Sequence, residues 1–375
     1  MNFELNDEQQ QLADSVHKFL ASQYTFEQRR SILESASGCS DAVWATFADM
    51  GLLSIAVPQA DGGFGGGALD LMPVMQACGE ALVVEPLLDH VGLAGRLIAS
   101  AGPSPQRAAW LRGLMDGSLR FAFAALEPAS RYELAPAQTV ARATGAGWVL
   151  DGDKCVVVGA AWAHRLIVSA RTGAQANEAT LFVLDREAGG VSLERHTTVD
   201  GQRCADVRLR GVELGADAVL GPVHGALALI EDAVDFATAL SCAEAVGAMH
   251  SANDATLEYL KTRRQFGVPI GSFQVLQHRM VEMHITCEQA RSMAILAAAK
   301  VDAPGERAAR QRAVAMAKVK IADAARLISQ ESVQLHGGMG MTQELKVSHT
   351  FRRLTTLAQR FGDADHHLQR CAELD

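Results

Sequence analysis

Metal-ligand cysteine pairs, basic runs and long apolar runs are all missing from this 375-residue chain. The seven cysteines, Cys39, Cys78, Cys155, Cys204, Cys242, Cys287 and Cys371, are odd in number and widely scattered. None stands in a Cys-x-x-Cys or Cys/His ligand spacing, which argues against a disulfide framework or a zinc site and favours a reducing cytoplasm. With 34 Lys and Arg against 43 Asp and Glu the net charge is −9. Phosphate backbones need a clustered positive field, so no nucleic-acid partner is expected. No uninterrupted apolar stretch reaches the length of a membrane span, and the acidic, amphipathic start MNFELNDEQQQL is unlike a signal peptide. No membrane association and a cytoplasmic location are therefore expected. What is present, 49 % apolar and 21 % charged residues, is the composition of a globular protein large enough for two or three lobes.

The pattern changes twice along the chain. Up to about Arg112 it is mostly helical: Asn6 and Gln9 have the spacing of a capping box, Leu12, Val16 and Leu20 form one stripe, and Trp44, Phe47, Met50 and Leu53 another. The loop Asp61–Gly67, DGGFGGG, lacks the preceding strand that a dinucleotide fingerprint requires. Between about Leu119 and Pro222 come short β-branched and apolar runs separated by Gly or Asp, with Asp151-Gly152 as a hairpin signal. From Gly225 helical periodicity returns, with Leu276, Met280, Met283, Cys287, Ala290 and Ala294 on one face. The expected fold is α+β: an N-terminal helical domain over 1–118, a middle antiparallel β-barrel-like domain over 119–222, and a C-terminal four-helix bundle over 223–375.

Chemistry-bearing residues gather between Gln334 and His367. Gly337, Gly338 and Gly340 let a backbone approach a ligand closely, or simply turn the chain. Asp363, Asp365, His366 and His367 follow; the two histidines have no further ligand at metal spacing, so no metal site is expected.

Three strings carry a family resemblance over nearly the whole chain. YLKTRRQFGVPIGSFQVLQHRMVEM, from Tyr259 to Met283, is similar to the Y-x-x-x-R-x-Q-F-G-x-P-I-x-x-F-Q pattern of the acyl-CoA dehydrogenase flavoproteins. QLHGGMGMTQE, from Gln334, resembles their Q-x-x-G-G-x-G-x, and MGLLSIAVPQADGGFGG their first-lobe G-L-x-x-x-x-x-P-x-x-x-G-G-x-G. The resemblance implies FAD, an acyl-CoA substrate dehydrogenated across Cα and Cβ, electron transfer to an electron-transfer flavoprotein, and a dimer or dimer of dimers. It further implies that Arg263, Phe266, Gln274, Gln334, Gly337 and Gly338 reach across an interface to the FAD of a neighbouring chain.

Departures from the family concentrate on the chain's own flavin surface and base. Where members read T-E-P then G-S-D, this chain has Leu126-Glu127-Pro128-Ala129-Ser130-Arg131; where they read W-I-T-N, it has Val156-Val157-Val158-Gly159. The catalytic glutamate of a Y-E-G-T string is matched by Asp363, with a one-residue slip placing Gly362 there instead, and the minority position falls near Ala237. Asp363 is thus the candidate catalytic base, with a helix N-cap as its other reading. Glu244, two turns beyond Ala237, reads as a helix-packing or hydrogen-bonding residue rather than a base. The pattern suits one subunit of a heteromeric dehydrogenase with a degenerate site of its own, paired with a larger paralogous subunit. The alternatives are a self-sufficient homo-oligomer using Asp363 and a non-enzymatic acyl-CoA-binding or assembly module.

Overall fold

The computed structural model describes residues 5–175 and 177–374. Helices come first: α1 (Asp7–Gln23), α2 (Phe26–Glu34), α3 (Asp41–Asp49) and α4 (Ala68–Ala81), then a π-helical segment Leu88–Gly95 continuing into α5 (Arg96–Ser100), and α6 (Pro105–Met115). The strands are β1 (Phe121–Ala124), β2 (Val140–Ala143), β3 (Gly147–Val158), β4 (Arg165–Arg171), β5 (Ala179–Asp185), β6 (Val191–Thr197), β7 (Arg203–Gly215) and β8 (Val219–Leu220). There follow α7 (Leu227–Thr262), the two-residue strands β9 (Arg264–Gln265) and β10 (Val268–Pro269), then α8 (Gln274–Asp302), α9 (Arg307–His336), α10 (Lys346–Gln359) and α11 (Ala364–Glu373). This is the expected order of helical region, sheet domain and helical bundle. Among the described residues no helix is long and apolar enough to cross a membrane.

Two compact units emerge. One joins the segment up to Ser31, Gly67–Val83 and the chain from Thr238 onward; the other holds Ile32–Gly66 and Val84–Ala237. In the helical unit α1 starts on the expected capping box: Asn6 Oδ1 accepts from the Gln9 N–H (2.8 Å) and Gln9 Oε1 from the Asn6 N–H (3.0 Å). Its buried stripe is Ala13, Val16 and Leu20, with Leu12 only half-buried at its edge. Asp302 at the end of α8 accepts from the Ala68 and Leu69 N–H groups (2.7 and 2.8 Å), satisfying two of the orphan donors that open α4. Deeper in, α4 and α7 touch backbone to backbone: a methyl at Gly79 would lie 1.9 Å from the Glu244 carbonyl oxygen, and one at Gly247 1.9 Å from that of Gln76. The α8 face expected from periodicity is present, with Met283, Cys287, Ala290 and Ala294 fully buried.

The second unit is built on an eight-stranded sheet of order β6-β7-β3-β2-β4-β5-β8, with β1 beside β4. Pairing is mostly antiparallel, as expected, while β1 and β2 lie parallel to β4. The hairpin expected at Asp151-Gly152 does not form. Those residues lie inside β3 at a register shift against β7, and Gly152 passes so close to the residue preceding β2 that a methyl there would meet the Thr139 Cα at 2.6 Å. The Asp-Gly pair answers the need for a bulge and close approach rather than for a turn. The β2–β3 turn lies instead at Thr144–Gly147, where the Thr144 N–H donates to the Gly147 carbonyl.

Candidate active and cofactor site

At the end of α7 the chain turns through a two-residue hairpin. Phe266 (φ +53°) and Gly267 (φ +82°) both adopt the left-handed conformation that a type I′ turn demands between β9 and β10. A bulky aromatic is a costly occupant of that region. The Phe266 ring is nevertheless 90 % exposed, touching Phe273 edge-on at 6.3 Å. Arg263 and Gln274, on either side, are also exposed. The loop is fixed at its base: the Ile270 N–H donates to the Arg263 carbonyl (2.8 Å) and Gln277 Nε2 to that of Gly271 (2.8 Å).

The second glycine-bearing element closes α9. Gly337 takes φ +60°, and neither it nor Gly338 has any atom within 4 Å of where a methyl would sit. Gly340 is different, since a methyl there would strike the Val333 carbonyl at 2.6 Å. So Gly340 folds the turn back on the helix, while Gly337 and Gly338, with exposed Gln334, present open backbone. The Tyr259 ring, one turn before Arg263, stacks on His336 (4.4 Å between centroids, 29° between planes), bringing the two elements together. An exposed guanidinium, two exposed amides, an exposed aromatic and unobstructed glycine backbone fit a phosphate-bearing heteroaromatic group approaching from outside the chain.

The β-lobe surface has little to offer such a group. Leu126 and Val158 carry no hydroxyl, and Ser130 Oγ is occupied by the Glu127 N–H and carbonyl (both 3.0 Å). Val156 is left-handed (φ +50°) and its N–H donates to Asp206 Oδ1 (2.9 Å). Beneath this surface lies a pair that sequence reasoning missed. Lys154 Nζ, fully buried, donates to Glu127 Oε1 (3.1 Å), the Ala125 carbonyl (2.9 Å) and Ser169 Oγ (3.2 Å). Glu127 also accepts the N–H groups of Ala137, Gln138 and Thr139. Burial pushes Lys154 down to about 8 despite its carboxylate partner. Burial alone would raise the Glu127 carboxyl, but Lys154 and the backbone donors outweigh it.

Asp363 sits at the N-cap of α11, its Oδ1 accepting from the His366 N–H (2.9 Å). The two residues before it, Phe361 (φ +60°) and Gly362 (φ +113°), make a left-handed turn, and a methyl at Gly362 would come within 2.5 Å of His366. Both carbonyls of that turn are held from below. His367 Nε2 donates to Phe361 O (2.9 Å), and fully buried Lys318 on α9 donates to Gly362 O (2.7 Å) and Ala358 O (3.0 Å). Burial lowers Lys318 to about 8 and, with Lys318 adding to it, His367 to about 3. The first lysine of the largely apolar stretch AVAMAKVKIADAA, Lys318, is the one sequence signal for this clamp. Glu244 meets the expectation of a packing residue: its Oε1 is held by Arg353 Nε (2.7 Å) and Nη2 (2.5 Å), both side chains buried. Ala237 is fully buried.

The loop Asp61–Gly67 is no phosphate cradle. The N–H groups of residues 62–66 all donate inward to carbonyls of residues 54–59, and Asp61 is gripped by both Arg107 Nη atoms (2.6 and 2.7 Å). His90 is buried in the π-helical segment, between the Leu114 carbonyl and the Phe121 N–H.

Comparison with known proteins fits this geometry. The N-terminal, middle and C-terminal domains of acyl-CoA dehydrogenase match residues 6–118, 122–212 and 227–373. Acyl-CoA dehydrogenase FadE12 of Mycobacterium tuberculosis is 33 % identical over 319 residues, covering 82 % of this chain and 80 % of its own. Among solved structures, a variant of the Tcur3481-Tcur3483 steroid ACAD aligns at 28 % identity and TM-score 0.87, over 98 % of this chain and 97 % of its own. The ChsE4-ChsE5 complex from Mycobacterium tuberculosis aligns at 26 % and 0.89, over 100 % and 98 %. The three domains in order, joined to the exposed arginine, aromatic and glycine set, make this chain a member of the acyl-CoA dehydrogenase family.

Proposed function

We propose that the chain is one subunit of an FAD-dependent acyl-CoA dehydrogenase that converts an acyl-CoA thioester to its 2,3-enoyl-CoA, and that it serves mainly a neighbour's site. FAD, when bound, supplies the hydride acceptor for the β-hydrogen. Arg263 offers a fork of donors to the pyrophosphate, Phe266 a face to the adenosine half, Gln274 and Gln334 amide contacts, and Gly337 and Gly338 close backbone approach. The single observation that carries this reading is Phe266: a strained aromatic, 90 % exposed, held on a braced hairpin, makes physical sense only against a partner. The lobes follow the boundaries 1–118, 119–222 and 223–375, and electrons pass on to an electron-transfer flavoprotein.

Several observations favour a degenerate site of the chain's own. Only glycine fits at Gly362, and Asp363 already caps α11. This supports the reading of Asp363 as a helix N-cap rather than a base. On the β lobe Leu126 and Val158 carry no hydroxyl for a flavin, and that of Ser130 is already engaged by Glu127. The likeness to the Tcur3481-Tcur3483 enzyme and to the ChsE4-ChsE5 complex supports assembly with a different chain, which we take to be a larger paralogous family member.

The experiment is a visible spectrum of the chain purified alone and after co-expression with neighbouring family chains. We expect less than one flavin per chain alone and a flavin-loaded, acyl-CoA-bleachable complex with a partner. Full FAD occupancy and turnover by the chain alone would reject the proposal in favour of a self-sufficient enzyme. No flavin in any combination would favour the non-enzymatic module. Asp363→Asn, which keeps the cap, should leave bleaching intact; its abolition would make Asp363 the base.

A further inference from the structure

We infer that Tyr259 and His336 are positioning residues that hold the two halves of the lent nucleotide-binding set in register. The inference rests on the reading above that Arg263, Phe266, Gln274, Gln334, Gly337 and Gly338 face a neighbour's FAD. Those residues belong to two separately built elements. The first is the end of α7 with its hairpin, fixed by the Ile270 N–H on the Arg263 carbonyl and by the close seat of Gly271, where a methyl would meet the Leu260 carbonyl at 2.8 Å. The second is the end of α9 with its turn, fixed by the fold-back at Gly340. Each is tied within itself by these bonds and close contacts, so binding one extended dinucleotide depends on how they are set against one another.

The stack supplies that setting. Tyr259 lies four residues before Arg263, whose N–H donates to the Tyr259 carbonyl (2.8 Å), so a shift of the ring carries the arginine with it. His336 immediately precedes Gly337, and the Gly337 N–H donates to the carbonyl of Gln334. The imidazole is buried and oriented from its own helix: a carbonyl can only accept, so His336 Nδ1–H donates to Ser332 O (2.8 Å) and Nε2 is the unprotonated nitrogen. Burial lowers its pKa, keeping the ring neutral. A neutral imidazole packed nearly parallel on a phenol ring 4.4 Å away is held both by contact and by its hydrogen bond. A second brace, Arg279 Nε on Glu331 Oε2 (2.6 Å), joins α8 to α9 nearby, but both side chains are about one-third exposed and such pairs contribute little in solution.

The test uses the flavin-loaded assembly from the preceding experiment and reads the FAD dissociation constant by fluorescence recovery, with hydrogen exchange on the flavin-free assembly. Tyr259→Leu should weaken FAD roughly tenfold, the scale of one lost aromatic contact. Amides 334–338 should exchange faster, although the substitution lies on α7. Tyr259→Phe and His336→Phe, which keep the rings, should restore affinity to within about twofold. Arg263→Ala separates the two layers of argument. If it leaves FAD affinity unchanged, the lent-set reading fails; if it weakens FAD while Tyr259→Leu does not, the positioning role is overturned. Loss of affinity in Tyr259→Leu without faster exchange at 334–338 would overturn it as well.

Discussion

At the scale of single residues, backbone conformation separates the parts of this chain that carry strain. Val156 and Phe361 are non-glycine residues in the left-handed region on the two surfaces where the chain departs from its family, and Phe266 is a third on the surface where it agrees. Val156 is 47 % exposed, so little burial is at stake, and its N–H bond to Asp206 survives any side chain. Val156→Gly should therefore stabilise the protein by about 1 kcal/mol, the order of the left-handed penalty. A urea midpoint that falls or stays level would show that the turn costs valine nothing. Strain of this sort was invisible in the sequence, because Val-Val-Val reads as good strand. Motif residues were legible instead: Arg263, Phe266, Gln334, Gly337 and Gly338 could be picked out by their strings, whereas Lys318, Lys154 and the Tyr259–His336 stack join residues far apart in sequence. Only the fold reveals those.

At the scale of elements, periodicity gave the helices and strand clusters, and capping chemistry gave the start of α1. The failure at Asp151-Gly152 has a physical cause: an Asp-Gly pair serves a bulge and a turn equally well, and β7 running alongside selects the bulge. The long small-residue run ATALSCAEAVGAM in α7 suits tight helix packing but does not say against what. Its partner is α4, with Gly79 and Gly247 each pressed against the other helix's carbonyl. Gly247→Ala should consequently destabilise by about 1–3 kcal/mol through forced separation of the helices. Gly338→Ala, with open space around it, should change stability by less than about 0.5 kcal/mol. Equal urea midpoints for the two variants would mean that α4 and α7 part without cost.

Across the whole molecule, the buried titratable groups fix how stability responds to pH. Burial is the leading cause that lowers His90 to about 4, His349 to about 4 and His367 to about 3, from 6.5. An unfolded chain therefore binds more protons than the folded one between those values and 6.5, and stability falls as pH drops through that window. Glu80, raised by burial, pulls weakly the other way. On the alkaline side Lys154 and Lys318, lowered to about 8 from 10.5, add stability as pH rises from about 8. Buried Cys39, Cys242 and Cys287, raised to about 12 from 9.0, and Cys204, raised to about 11, remove it above 9. The urea midpoint should be highest between about 6.5 and 9 and should already decline from pH 6.5 to 5. Ordinary carboxylates have barely begun to titrate there, so the decline would belong to the imidazoles. A flat midpoint from pH 7 to 5 would show that these histidines take up protons in the folded chain as readily as in the unfolded one, which their burial opposes; at His90 the Phe121 N–H opposes it too, because Nδ1 accepts that bond and a protonated ring could not keep it.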